Sequence, residues 1–248
     1  MTNPTAQREP ELRGQTVVLI GGSAGIGLET ARRARAEGAD VILTGRNPQR
    51  LEHAAVEVGA RSTASFDAND TADLQKFFHG LPQPIDHVMV TAGGPSYRPL
   101  LEMDSRQVRD VLGDHVGLDL EVARNAVRRM RAGGSLVFMG GTGGRRVSRD
   151  IGIVSAATAT LPPFTATLAL EIAPMRVNLI AAGFVDTPLS AALLGDSLDD
   201  RRDELRAKLP IGRVVTAADV AALAVHLMTN TALTGATFDI DGGQQFVS

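Results

Sequence analysis

Thr16-Val17-Val18-Leu19-Ile20-Gly21-Gly22-Ser23-Ala24-Gly25-Ile26-Gly27 is the stretch that decides the fold. Its first half is an apolar, β-branched run of the kind that forms a buried strand. The strand leads directly into glycines spaced G-x-x-x-G-x-G. A helical stretch with small and apolar residues on one face follows from Gly25 to Glu37. Glycines on a strand-to-helix turn let the backbone pass close to a pyrophosphate. The helix N-terminus behind them supplies free N–H groups and a partial positive charge. A tight turn without a ligand uses glycine too, so the flanking strand and helix are what favour a nucleotide.

The same alternation continues outward. Strands are expected at Val17 to Ile20, Val41 to Thr44, Thr63 to Phe66, His87 to Thr91, Leu136 to Met139, Arg176 to Ile180 and Thr237 to Ile240. Asn47-Pro48 reads as a helix start, with Asn47 as cap and Pro48 in the first turn. Further helices are expected at Thr71 to Phe78, Ser105 to about Met130 (stopped by Arg131-Ala132-Gly133-Gly134) and Ala217 to Met228. Near-continuous apolar strands separated by helices imply a parallel sheet covered on both faces, joined by right-handed crossovers. The expectation is one α/β domain over 14–248, a doubly wound Rossmann-type sheet of about seven strands.

Composition narrows the function classes. The chain has 248 residues, 44% of them hydrophobic, and a net charge of −3, which offers no basic surface for nucleic acid or an anionic membrane. The absence of cysteine excludes disulfides, thiolate metal sites and a cysteine nucleophile. His79, His87 and His226 show no metal-ligand spacing. Residues 1–13 are polar, hold Pro4 and Pro10, and read as a flexible leader without a signal peptide's apolar core. No apolar run reads as long enough to span a bilayer. The expected location is the cytosol.

The end of the second strand bears on which dinucleotide is bound. An acid there would hold a ribose hydroxyl; the chain has Thr44-Gly45-Arg46 instead. Arg46 carries a guanidinium suited to a 2′-phosphate, and Ser23 in the glycine turn offers a second hydrogen bond, so NADP(H) is expected over NAD(H). The alternative for Arg46 is a solvated surface arginine.

At this point the chain resembles the short-chain dehydrogenase/reductase family over residues 14 to 248. The resemblance rests on Gly21-x-x-x-Gly25-Ile26-Gly27, Asp67, Thr91-Ala92-Gly93, Arg176-Val177-Asn178, Gly183-Phe184-Val185-Asp186-Thr187-Pro188, Pro210-Ile211-Gly212-Arg213 and Asp241-Gly242-Gly243. It implies that Asp67 contacts the adenine amino group. Ala92 and Gly93 would line the adenosine side, and Val185 and Thr187 would hold the nicotinamide carboxamide. Residues 188–208 would form a lid over the substrate, and the chain would assemble as a homo-oligomer, a tetramer or dimer. Ile20, Thr91 and Ala182 depart from the family's threonine, asparagine and proline.

In that family a tyrosine gives the proton in carbonyl reduction, and a lysine four residues later lowers its pKa. A serine orients the substrate and an asparagine joins the relay. Counting from Arg176-Val177-Asn178 and from the strand at Leu136 puts the tyrosine position on Val154, the lysine on Thr158 and the serine on Gly141. Counting back from Met130 puts the asparagine on His115. Register cannot rescue the pair: no tyrosine lies between residues 98 and 248, and no lysine between 77 and 207. Pro162-Pro163 also falls where the helix carrying the pair belongs. Either that helix is kinked, or it begins near Thr160.

Four replacement candidates stand out. His115 transfers protons near neutral pH, or is a histidine satisfied by backbone. Tyr97, the only tyrosine, lies in the loop after the fourth strand. With a pKa near ~10 it reads as a pocket wall rather than an acid. Ser155 orients a substrate or caps a turn. Arg145, Arg146 and Arg149, with Ser148 and Asp150, form a basic loop that polarises a carbonyl or is simply solvated. Three readings follow. The first is an NADP(H)-dependent oxidoreductase with an atypical site, acting on a quinone, enone or activated carbonyl. The second is a silent NADP(H)-binding sensor or partner subunit. The third is a conventional alcohol dehydrogenase with substituted proton-transfer groups.

Overall fold

The computed structural model describes residues 11–95, 97–145 and 151–247. A seven-stranded parallel sheet forms its centre. The strands are β1 (Thr16–Ile20), β2 (Asp40–Gly45), β3 (Ser62–Ser65), β4 (Ile85–Val90), β5 (Met130–Gly141), β6 (Arg176–Ala182) and β9 (Thr237–Ile240). Their spatial order is β3-β2-β1-β4-β5-β6-β9. Between them lie α1 (Gly25–Ala36), α2 (Pro48–Val58), α3 (Thr71–Gly80), α4 (Ser105–Ala126) and α5 (Gly152–Glu171). After β6 come β7 (Val185–Asp186), α6 (Pro188–Leu194), α7 (Leu198–Lys208), β8 (Val215–Thr216) and α8 (Ala217–Thr229). The order reverses direction at β1/β4, so the carboxyl ends of those strands open a crevice beside the glycine turn. One core face packs α1 and α8 on the sheet through Ala31, Ala34, Val220 and Ala224. The other packs α3, α4 and α5 through Phe78, Val122, Ala126, Leu161 and Leu168.

Local rules placed several boundaries. Asn47 caps α2 by accepting from Arg50 N at 2.8 Å, with Pro48 in the first turn. Others differ from expectation. α4 ends at Ala126, and Met130 through Gly134 already belong to β5. Gly134 is required there because a Cβ would lie 2.4 Å from the Asp86 carbonyl, so the glycine pair serves strand pairing rather than stopping a helix. Leu12 is fully buried, and its N–H donates to the Glu37 carbonyl at 2.9 Å. Residues 11–13 are therefore part of the domain rather than leader; residues 1–10 lie outside the described residues.

α5 runs unbroken through Pro162 and Pro163, which rules out a start near Thr160. The two prolines remove the donors for the Thr158 and Ala159 carbonyls. Ala159 is exposed, and burial of Ala157, Leu161, Thr165 and Leu168 holds the helix on the sheet. By length and composition α5 is apolar enough to cross a membrane, contrary to the sequence expectation. Half of it is buried inside the fold, as befits a core helix.

At the amino edge of the sheet, the ring of His87 bridges two elements. Its Nε2 donates to Gln15 Oε1 at 2.6 Å, and its Nδ1 accepts from Ser135 Oγ at 2.8 Å. Both nitrogens are satisfied in the neutral form. Burial, with Arg176 nearby, lowers the His87 pKa from 6.5 to about 3. Because the native state resists a proton that the unfolded chain accepts, stability falls as pH drops from about 6.5 toward 3 and is unaffected above that window. The slope approaches ~1.4 kcal/mol per pH unit for one proton. Urea unfolding at pH 7, 6 and 5 should show this slope in the wild type and its loss in His87→Gln; equal slopes would refute the assignment.

Candidate dinucleotide and substrate site

The glycine turn is built by close backbone approach. A Cβ on Gly27 would lie 2.3 Å from the Gly21 carbonyl oxygen, so α1 can pack this tightly only with glycine. Thr91 Oγ1 donates to the Gly21 carbonyl at 3.0 Å, tying the end of β4 to the turn. This is what the threonine does where the family's asparagine would stand. Ala24, the N-cap of α1, supplies no side-chain cap, so the first-turn N–H groups of α1 face the crevice mouth uncapped. Ile26 packs against the core, and Gly25 meets Thr187 across the crevice, with 3.6 Å between its Cβ position and Thr187 Cβ.

At the end of β2, Ser23 and Gly45 are in contact. A Cβ on Gly45 would lie 2.9 Å from Ser23 Oγ and 3.1 Å from Ser23 Cβ. No acid fits at position 45 unless Ser23 moves. The Ser23 hydroxyl forms no hydrogen bond among the described residues. Arg46 is exposed, with no ion pair among them. Asp67 is exposed, and its Oδ1 accepts from Asn69 N at 3.0 Å. Ala92 follows β4 half-buried beside the turn, and Gly93 is exposed. Val185 is buried, while Thr187 caps α6 by accepting from Ser190 N.

Of the positions counted from sequence, Gly141 and Thr158 lie together. The Cβ position of Gly141 lies 3.5 Å from Thr158 Cγ2, and that of Gly143 lies 3.6 Å from Thr158 Oγ1 and 3.8 Å from Ser155 Oγ. Val154 and Thr158 are both buried. The Thr158 hydroxyl turns back along its own helix, donating to the Val154 carbonyl at 2.9 Å. The Ser155 hydroxyl is buried with no partner among the described residues, and is closed off from solvent. Neither hydroxyl is presented to a substrate in this arrangement.

The other candidates are more peripheral. His115 is half-buried on α4, its Nδ1 donating to the Val111 carbonyl at 3.1 Å, which leaves Nε2 as the acceptor nitrogen. Tyr97 is 49% exposed, and burial of its hydroxyl raises its pKa rather than leaving it near 10, making it a weaker acid still. Leu100 from the same loop covers the first turn of α5 at Gly152. Arg145 is paired with Asp239 rather than free; Arg146, Ser148, Arg149 and Asp150 lie outside the described residues. No metal cluster exists among those described.

One buried group was missed in the sequence. Asp119 on α4 is 4% exposed and has no hydrogen-bond or ion-pair partner among the described residues, and burial holds its carboxyl well above the usual range. The available signal was its place on the helix stripe His115, Asp119, Val122, Ala126, whose last two members are core residues.

Comparison with known proteins extends this picture. A family model described as enoyl-(acyl carrier protein) reductase matches residues 21–245. Short-chain dehydrogenase/reductase ATR9 of Stachybotrys chlorohalonatus is 30% identical, covering 94% of this chain and 98% of that protein. The structure of MalC Reductase/Diels-Alderase from Malbranchea aurantiaca superposes with a TM-score of 0.89 at 25% identity, covering 96% of this chain and 99% of that one. The structure of BdcA in complex with NADPH does so with 0.83 at 25% identity, covering 94% and 95%.

Proposed function

Because the chain belongs to the short-chain dehydrogenase/reductase family, we propose that it is an NADP(H)-dependent oxidoreductase with an atypical active site, reducing a quinone, enone or activated carbonyl. The observation that carries the cofactor choice is the Ser23–Gly45–Arg46 constellation. Ser23 packed on Gly45 removes room for an acid, and the next residue, Arg46, stands exposed. A guanidinium and a hydroxyl at that point suit a 2′-phosphate. The bound dinucleotide supplies the hydride. The chain's part would be to seat it: the α1 N-terminus at the pyrophosphate, Asp67 at the adenine, and Val185 with Thr187 at the carboxamide.

The acceptor class follows from what the substrate side lacks. Val154 carries no proton, and the Thr158 hydroxyl is committed to its own helix. An acceptor whose reduced form is a stabilised anion needs no proton in the transition state, and this site favours it. The second reading, a dinucleotide-binding protein without turnover, draws on the same closed hydroxyls. Binding of NADPH with no oxidation across a panel of quinones, enones and ketones would select it. We also propose a homo-oligomer. The outward face of α5 (Ala156, Ala159, Thr160, Pro163, Ala166, Leu170) is exposed and uncharged.

Arg46→Ala should weaken NADPH binding by about 1–3 kcal/mol and leave NADH unchanged. Fluorescence titration with both cofactors checks this. Equal affinities in the wild type would overturn the NADP(H) assignment.

A further inference from the structure

The buried acid on α4, Asp119, has no counter-charge in its surroundings. Its helical neighbours at three and four residues' distance are His115, Val116, Val122 and Ala123. α4 packs against α3, α5, β4 and β5. α5 brings one titratable residue, Glu171, exposed at its last position. On α3, Asp73, Lys76 and His79 are all exposed. β4 offers Asp86 and His87, but Asp86 is engaged by Thr16 N and Arg131, and His87 by Gln15 and Ser135. Arg131, the ionisable residue of β5, is exposed. An isolated carboxylate in such surroundings takes up a proton rather than stay charged, in line with the upward push that burial gives the Asp119 carboxyl.

A neutral carboxylic acid therefore stands one helical turn from His115. Residues at i and i+4 on a helix lie about 5–6 Å apart at Cβ, near enough for their side chains to meet. His115 turns Nδ1 to the Val111 carbonyl at 3.1 Å, which leaves Nε2 as a proton acceptor. Proton donor and proton acceptor thus follow one another along α4, at a family relay position, while the Thr158 and Ser155 hydroxyls are turned away. We infer that Asp119 is a positioning residue that holds a proton for His115 and, through it, for the reduced substrate. The inference rests on the NADP(H)-dependent reading above. The hydride of NADPH passes to the acceptor, leaving NADP+ and an enolate or hydroquinone anion. The proton is needed only afterwards. The Asp119 O–H bond breaks, an N–H bond forms at His115 Nε2, and that proton goes on to the product anion. The Asp119 carboxylate left behind takes a proton from solvent before the next turnover. An acid that merely fills space would be replaced by asparagine, of the same shape, without effect on His115 or on turnover.

NMR of the carboxyl carbons and imidazole nitrogens, followed against pH in the protein without cofactor, reads the first half of this relay. Asp119 should be protonated at pH 7. Its ionisation as pH rises should move the His115 Nε2 signal with the same midpoint, and Asp119→Asn should abolish that movement. An ionised Asp119 at pH 7, or a His115 signal indifferent to the Asp119 titration, would overturn the inference. Turnover reads the second half. With NADPH and a quinone, Asp119→Asn should slow steady-state turnover by about 10²-fold while hydride transfer in the first turnover keeps its rate. His115→Ala should give the same loss, and the double variant no further loss, because the two residues act in series. Wild-type turnover in Asp119→Asn, or additive losses in the double variant, would equally overturn it. A wild type that binds no NADPH in direct titration would overturn the cofactor reading, and the relay with it; NADPH bound with unlinked titrations would sink the relay alone.

Discussion

Simple secondary alcohols supplied with NADP+ should be oxidised ~10²–10⁴-fold more slowly than by a family member with an intact tyrosine–lysine pair, the usual contribution of a positioned general acid or base. The reason lies in four positions. Val154 is apolar, Gly141 has no side chain, Thr158 donates to the Val154 carbonyl, and the Ser155 hydroxyl is closed off. Tyr97 does not substitute, since burial makes its hydroxyl a weaker acid and half of the residue faces solvent. Quinones and activated enones should be the faster acceptors. His115 is the remaining titratable group at a family catalytic position. If it carries residual proton transfer, His115→Ala removes most turnover at unchanged NADPH affinity. If it is structural, the variant loses stability and keeps its rate per folded molecule. Alcohol oxidation at rates usual for the family, insensitive to changes at His115 and Tyr97, would place the chemistry elsewhere in the molecule.

Arg176→Met should destabilise the fold by about 2–5 kcal/mol, because it removes a buried guanidinium whose bonds go to backbone carbonyls at the end of α8. Arg176 is 6% exposed and caps the end of α8 from the neighbouring strand. Nη1 reaches the Leu227, Asn230 and Leu233 carbonyls at 2.7, 3.1 and 3.2 Å, Nη2 the Met228 carbonyl at 2.7 Å, and Nε the Gly133 carbonyl at 3.3 Å. The Leu233 carbonyl still accepts from Asn178 Nδ2 at 2.9 Å, the Asn230 carbonyl from Leu233 N at 3.3 Å, and Gly133 is exposed, so the variant takes the partner from the buried Leu227 and Met228 carbonyls, each at a cost of about 1–3 kcal/mol. The arginine's own desolvation opposes this and keeps the total below the simple sum. Arg176→Lys keeps the charge but cannot span both sides of the α8 terminus, so it should fall between. Denaturant midpoints measure both variants. A loss under ~1 kcal/mol for methionine would mean that the bonds only offset the cost of burying the guanidinium.

The elements that read well in sequence are those whose cause is local. The glycine turn, the Asn47-Pro48 helix start and the apolar strands each carry their physics within a few residues, and the apposition of Gly141 with Thr158 followed from counting along regular elements. The errors have non-local causes. Pro162-Pro163 reads as a break because the rule concerns the helix alone, whereas burial of Leu161 and Leu168 keeps α5 continuous. Gly133-Gly134 reads as a helix stop, but Gly134 answers to the Asp86 backbone on a different strand. Within the site, sequence places the residues and leaves open where their hydrogens point. That Thr158 spends its hydroxyl on its own helix and that Arg145 is engaged by Asp239 depends on side-chain packing between segments far apart in sequence.

The His87 bridge has a consequence for reading activity against pH. It lies at the amino edge of the sheet, while hydride transfer belongs at the carboxyl edge, so its protonation acts on the number of folded molecules and not on the reacting atoms. An acid limb in a pH–rate profile is ordinarily assigned to a catalytic base. In this protein stability itself declines below about pH 6.5, because folded His87 refuses its proton until about pH 3, and an acid limb includes unfolding once that decline exhausts the net stability. Rates normalised to folded protein would flatten that part of the curve, and only the ionisation that survives normalisation belongs to the chemistry.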